Sequence, residues 1–219
     1  MSGVNTVLQD QFLDKFFSTQ FGNMFYLTGG TALSRFYLYH RESVDLDLFT
    51  NDQSADFASL NLVIGQIARE LNLKIISQIT TNSYLQFIFE DENDENLKID
   101  LVKDVGTQLG QTEKRGKVVI DSLENIAVNK VLAVFGRTDA KDFIDLFFLL
   151  EKKKFVLKDL IEKAKKKDVG LSEFYLAGAI ANFENVSTWP KMLVDLSKDD
   201  LKTFYANIST EMFKKIKPK

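Results

Sequence analysis

Ser43-Val44-Asp45-Leu46-Asp47-Leu48-Phe49-Thr50 alternates polar and apolar side chains. A period of two places Asp45 and Asp47 on one face of an extended strand, with Val44, Leu46 and Leu48 on the other, facing a core. Carboxylates two residues apart on a strand stand roughly 7 Å apart at Cα, so their oxygens can hold one or two hard cations. Without a cation the two acids repel. A divalent ion, Mg2+ or Mn2+, removes that repulsion, and a third acid on a neighbouring strand supplies the donors of a two-metal site.

Upstream of this strand, Leu8, Phe12, Leu13 and Phe16 recur at helical spacing within residues 7–20, which predicts an amphipathic opening helix. A short apolar segment, Met24 to Leu27, then runs into Thr28-Gly29-Gly30, and residues 31–40 return to helical spacing. The reading is strand, glycine turn, helix. Backbone amides freed of side-chain bulk at a helix start can approach phosphate oxygens, and Thr31 can add a hydroxyl.

Downstream, a polar break at Asn51–Ser54 leads to a helix ending near Leu71, and Lys74–Thr80 reads as a strand. Residues 84–90 and 97–102 alternate again around the polar tip Asp91–Asn96, the pattern of a β-hairpin. Leu97, Ile99 and Leu101 face the core, which leaves Lys98 and Asp100 on the opposite face. Asp100 is therefore the candidate third carboxylate, as the base or as the third metal ligand. From Ser122 onward the periodicity is helical. The expectation is an α+β fold: a mixed sheet over residues 1–120 and a helical region, 121–219, that contributes to the cleft.

Composition narrows the classes. With 219 residues, 45% of them hydrophobic, 19 Phe and only 2 Pro, the chain is built for packed elements and a substantial core. Having no cysteine, it offers neither a disulfide framework nor a thiolate zinc site. The opening residues show no basic, then apolar, leader, and no stretch has the length of a membrane span without charges, so cytoplasmic residence with no membrane partner is expected. The net charge of −3 is uneven: residues 1–150 hold 13 Lys and Arg against 21 Asp and Glu, and residues 151–219 hold 15 against 10. An acidic front suits a cation site; a basic rear suits phosphates or is simply a solvated face, as in Lys163, Lys165, Lys166 and Lys167. His40 is the only histidine, which argues against a triad or a zinc site and for packing at a helix end.

Phe25-Tyr26-Leu27-Thr28-Gly29-Gly30-Thr31-Ala32-Leu33, followed by His40-Arg41-Glu42-Ser43-Val44-Asp45-Leu46-Asp47-Leu48-Phe49, resembles the AbiEii/AbiGii toxin family of nucleotidyltransferases. So does a second block, Lys130-Val131-Leu132-Ala133, Arg137, then Lys141 to Leu146. The resemblance implies a polymerase-β-like nucleotidyltransferase fold, phosphate contact by Gly29 and Gly30, and catalytic metal on Asp45 and Asp47. It also implies a nucleotide or catalytic role for Lys130 and an essential acid at Asp142 or Asp145. Lys141 stands where arginine is usual, which keeps the charge and loses the guanidinium fork.

Simpler structural roles stand beside these. Lys141 and Asp145 are an i,i+4 pair, Asp139 or Asp142 can cap the helix, and Arg41 and Ser43 either contact phosphate, orient a carboxylate or hold the strand in register. Phe174, Tyr175, Phe183, Phe204, Tyr205 and Trp189 are expected to build the rear core. The expected reaction is metal-dependent transfer of a nucleoside monophosphate from an NTP, with an RNA such as tRNA as the acceptor and an antitoxin as partner, in a toxin–antitoxin or phage-defence setting. A small-molecule acceptor and a non-catalytic nucleotide-binding module are the alternatives.

Overall fold

A computed structural model describes residues 6–186 and 188–216. The chain divides into two compact units, Met1–Tyr37 with Ser43–Ser122, and Leu38–Glu42 with Leu123–Lys219.

The first unit carries α1 (Thr6–Phe17), β1 (Tyr26–Thr28), α2 (Gly29–Ala32), which continues as a π-helix over Leu33–Leu38, β2 (Leu46–Thr50), α3 (Phe57–Glu70), β3 (Lys74–Thr80), β4 (Tyr84–Glu90), β5 (Asn96–Lys103), β6 (Glu113–Arg115) and β7 (Val118–Ile120). The seven strands form one sheet in the order β3-β4-β5-β2-β1-β7-β6. β2 runs parallel to β5 and β1 parallel to β7, while the remaining pairs are antiparallel. This is the mixed sheet that the alternation and the resemblance lead to.

One face of that sheet is apolar. Leu46 and Leu48 of β2, Leu85, Phe87 and Phe89 of β4, and Leu97, Ile99 and Leu101 of β5 are buried. Burying each such side chain contributes about 1.5–3 kcal/mol. α1 and α3 cover this face: Phe12 packs on Phe89 with ring centroids 6.3 Å apart, and Phe57 on Phe25 at 6.2 Å. α3 starts where Asp56 accepts a hydrogen bond from the Ala58 amide at 3.0 Å, relieving one orphan donor of the first turn. The opposite face is left to polar residues, which positions the site.

The strand around the paired aspartates is shorter than alternation predicts. β2 begins at Leu46, and Val44 is 51% exposed where a core position was expected. The reason is local: Gln9 donates to the carbonyls of Ser43 and Val44, at 3.0 and 2.9 Å, and Thr31 donates to that of Asp45, so side chains replace ladder hydrogen bonds there. The strands β6 and β7 go unread in the sequence, because three residues are too few for a period of two to register. Gly116, with φ +61, makes their turn.

In the second unit, residues 38–42 pair with a later segment: the Leu193 amide donates to the His40 carbonyl and the Glu42 amide to that of Lys191, both at 2.9 Å. The helices are α4 (Leu123–Gly136), α5 (Ala140–Glu151), α6 (Leu157–Lys167), α7 (Glu173–Ala181) and α8 (Lys198–Lys215), with a 3-10 turn at Asn182–Asn185. Phe143, Phe183 and Tyr205 form the aromatic centre, and the Tyr205 hydroxyl donates to the Phe143 carbonyl at 2.5 Å. Phe174 and Tyr175 do not join it. They are 54% and 67% exposed and pack edge-on to each other, a correction to the expected core. Among the described residues no helix is long and apolar enough to cross a membrane.

Candidate active site

In the first unit, sheet register assembles the acidic set. Asp47 is the direct neighbour of Asp100 across the parallel β2–β5 pair and of Thr28 across the antiparallel β1–β2 pair. Asp45 precedes β2 and is half-buried. Asp100 is nearly buried, and its carboxylate is fixed from two sides. Tyr84 and Gln86 of β4 donate to one oxygen, at 2.7 and 2.8 Å. Lys98 reaches the other oxygen at 2.7 Å and lies 4.0 Å from Asp45.

These contacts set the charges. Burial pushes the Asp100 carboxyl up, but the hydrogen bonds from Lys98, Gln86 and Tyr84 outweigh it and hold it below the usual carboxylate range. For Lys98, burial opposes the charge while Asp100, Asp45 and Asp47 favour it, and the net shift is upward. The Tyr84 hydroxyl, pushed up to about 12 by burial and by Asp100, stays a donor at neutral pH.

The glycine turn meets this set directly. Gly29 opens α2 with φ +68, a conformation side chains disfavour, and a Cβ there would fall on Asp47 Oδ2 and lie 2.9 Å from Asp47 Cγ. Gly30 follows, partly exposed. Thr31 is buried; its hydroxyl donates to the Asp45 carbonyl and lies 2.9 Å from the Ser43 hydroxyl. Thr31 and Ser43 thus hold the segment leading into β2. On the other side of the turn, Thr28 donates to Asp121 at 2.6 Å.

Three carboxylates are hard oxygen donors of the kind Mg2+ or Mn2+ takes, and the ammonium of Lys98 already lies among them, so the face accommodates positive charge. Among the described residues, no three His, Asp or Glu side chains converge as they stand into a cage for an ion. The donor chemistry fits; the cage is not preformed.

The second block of the sequence builds a buried ionic cluster in the second unit. Lys130 of α4 reaches Asp142 and Asp145 of α5, each at 2.8 Å. Arg41 grips Asp145 in bidentate fashion, Nε and Nη2 at 2.7 Å each, and donates Nη1 to the Glu42 carbonyl. His40 Nε2 lies 2.8 Å from Asp145, its ring packs on Phe148, and its buried Nδ1 has no partner among the described residues. Arg137 reaches Asp142 at 2.6 Å. Asp142 and Asp145 are fully buried. Burial alone would raise their pKa values, but Lys130, with Arg137 for Asp142 and Arg41 for Asp145, drives both below the usual range. Lys130 shifts upward for the reciprocal reason.

Asp139 caps α5 by accepting from the Lys141 amide at 3.0 Å, and Lys141 lies 3.7 Å from Asp139, leaving Asp145 to His40, Arg41 and Lys130. The carboxylate that Arg41 holds is that of Asp145. Three lysines of the basic run on α6 are also engaged: Lys163 by Glu124, Lys165 by Glu162 and Glu173, and Lys167 by Asn125 and Asn129. Sequence reasoning missed Lys98, Tyr84 and Gln86 as site residues. Their signal was alternation, which sets 84 and 86 on one face of β4 and 98 beside 100 on β5.

The family model of the AbiEii toxin nucleotidyl transferases, type IV toxin–antitoxin systems, matches residues 11–207. The chain belongs to this family. As an AbiEii-family chain it is a nucleotidyltransferase. It is similar to an uncharacterised protein of Aquifex aeolicus, 30% identical over 180 residues, covering 81% of this chain and 82% of that one. Among solved structures, its fold is similar to that of JHP933 from Helicobacter pylori, with a TM-score of 0.59 and 20% identity over 97% of this chain and 96% of that one. It is also similar to MenT4, a nucleotidyltransferase toxin from Mycobacterium tuberculosis, with a TM-score of 0.56 and 12% identity over 96% of this chain and 83% of that one.

Proposed function

We propose that this AbiEii-family nucleotidyltransferase moves a nucleoside monophosphate from an NTP to an RNA acceptor, using divalent metal held by Asp45, Asp47 and Asp100, and that it serves as the toxin of a toxin–antitoxin or phage-defence pair. The observation that carries the metal assignment is the register of β2 on β5, which sets Asp47 beside Asp100 with the Gly29 backbone against Asp47. When bound, the metal supplies charge neutralisation and Lewis-acid activation at the phosphates.

The chain's own groups account for the rest. The amides at Gly29 and Gly30 receive phosphate oxygens at the turn. An acceptor hydroxyl attacks the α-phosphorus and gives up its proton to solvent, the bond to the bridging α–β oxygen breaks, and pyrophosphate leaves with that bond's electron pair. Asp100, held below the usual carboxylate range, is a ligand and a poor proton acceptor. Lys130, Asp142 and Asp145 neutralise one another and Arg41, and act by fixing Arg41, which lies four residues before Asp45 in the chain. The toxin role and the antitoxin partner are supported by the family's description, and the RNA acceptor by the basic rear section, where residues 151–219 hold 15 Lys and Arg against 10 Asp and Glu.

The test is incubation of purified protein with Mg2+, each labelled NTP and total cellular RNA, followed by denaturing gels. Label on RNA with wild type, absent with Asp47→Asn, supports the reading. Metal-dependent NTP consumption with label only on a small hydroxylated compound overturns the RNA acceptor. Growth arrest on expression that persists with folded Asp47→Asn overturns catalysis as the cause of toxicity.

A further inference from the structure

We propose that Lys98 is a resident counter-ion of the acidic face, which a divalent cation must displace before the site can load. The inference rests on the reading of Asp45, Asp47 and Asp100 as metal ligands.

Lys98 and Asp100 share one face of β5 by strand alternation, and the ammonium lies 2.7 Å from Asp100 Oδ2 and 4.0 Å from Asp45 Oδ2. It therefore uses lone pairs that a metal would also use. Its side chain is 35% exposed, so solvent reaches the ammonium, and the polar contact that anchors it among the described residues is the one to Asp100. A lysine head is a compact point charge on a flexible stem and can leave without moving the strand. Asp100 keeps its orientation when that happens, because Tyr84 and Gln86 hold the other oxygen. In the metal-free protein, Lys98 relieves the repulsion of neighbouring carboxylates; in the loaded protein it is in the way. The same residue stabilises the empty state and weakens the affinity for metal, a pairing that a merely structural lysine would not produce.

The experiment is calorimetric titration of Mn2+ into the full chain, as wild type, Lys98→Met, Lys98→Gln and Asp47→Asn, alongside thermal unfolding in EDTA. Both Lys98 variants should bind Mn2+ about tenfold tighter than wild type, the equivalent of ~1.4 kcal/mol, and melt at lower temperature without metal. Lys98→Gln decides the matter if Lys98→Met does not fold. Unchanged or weaker Mn2+ binding by the Lys98 variants, with binding lost in Asp47→Asn, overturns the role of Lys98 and leaves the metal site standing. Absence of Mn2+ binding by wild type and variants alike overturns the metal reading and this inference with it.

Discussion

Gly29 and Asp47 exclude any side chain between them: the Asp47 carboxylate occupies the position that a Cβ on Gly29 would take. The glycine turn and a candidate metal ligand are thus set against each other across β1 and β2. Gly29→Ala must push Asp47 aside and strain a residue at φ +68. Nucleotidyl transfer should fall by about 100-fold, the scale of a displacement near 1 Å in a catalytic group, with the far-ultraviolet circular dichroism unchanged. Activity within a fewfold of wild type would mean that Asp47 does not act from this position.

Thr31→Val removes a buried hydroxyl of nearly the same shape and leaves the Asp45 carbonyl without that donor. The expected cost is about 1–3 kcal/mol in urea unfolding, accompanied by weaker Mn2+ binding, because the segment carrying Asp45 loosens. Lost stability with unaltered Mn2+ affinity would separate Thr31 from the positioning of Asp45.

Asp145→Asn leaves Arg41 and Lys130 buried with one acid fewer, which should cost about 3–5 kcal/mol in the same assay. Arg137→Ala touches the neighbouring Asp142 through a side chain that is 63% exposed, and should cost less than about 1 kcal/mol. Equal losses from the two would show that the cluster is more hydrated than its geometry indicates.

Asp100, Asp142 and Asp145 all have carboxyls held below the usual range in the fold. Such groups contribute stability that is present above the unfolded value of about 4 and is lost as pH falls through the lower folded values. Melting temperature should therefore drop steeply below pH ~4, and Asp142→Asn should flatten that acid limb. An unaltered limb in the variant would assign the acid loss to other carboxylates.

Much of this architecture is legible in the sequence because alternation encodes it. Residues 84–90 and 97–102 declare a hairpin, and their period settles which face carries Asp100. Alternation fails where side chains take over the work of a ladder, as Gln9 does at Ser43 and Val44, since nothing local marks a glutamine 34 residues upstream as a partner. Lys130, Asp142 and Asp145 are visible as a motif, but their mutual neutralisation is not, because it depends on how α4 and α5 face each other. Phe174 and Tyr175 mislead for a related reason: aromatic content points to a core without saying which residue of a helix turns away from it.

The parallel pairing of β2 with β5 also orders events in time. Asp45 and Asp47 leave the ribosome more than fifty residues before Asp100, and a parallel partner so distant in sequence is reached only after α3 and the β3–β4 hairpin have been made, since such closures are slow compared with local ones. A nascent chain halted before β5 carries two of the three acids and none of the strand that joins them. The proposed metal-binding face is therefore completed only as one of the later steps of folding.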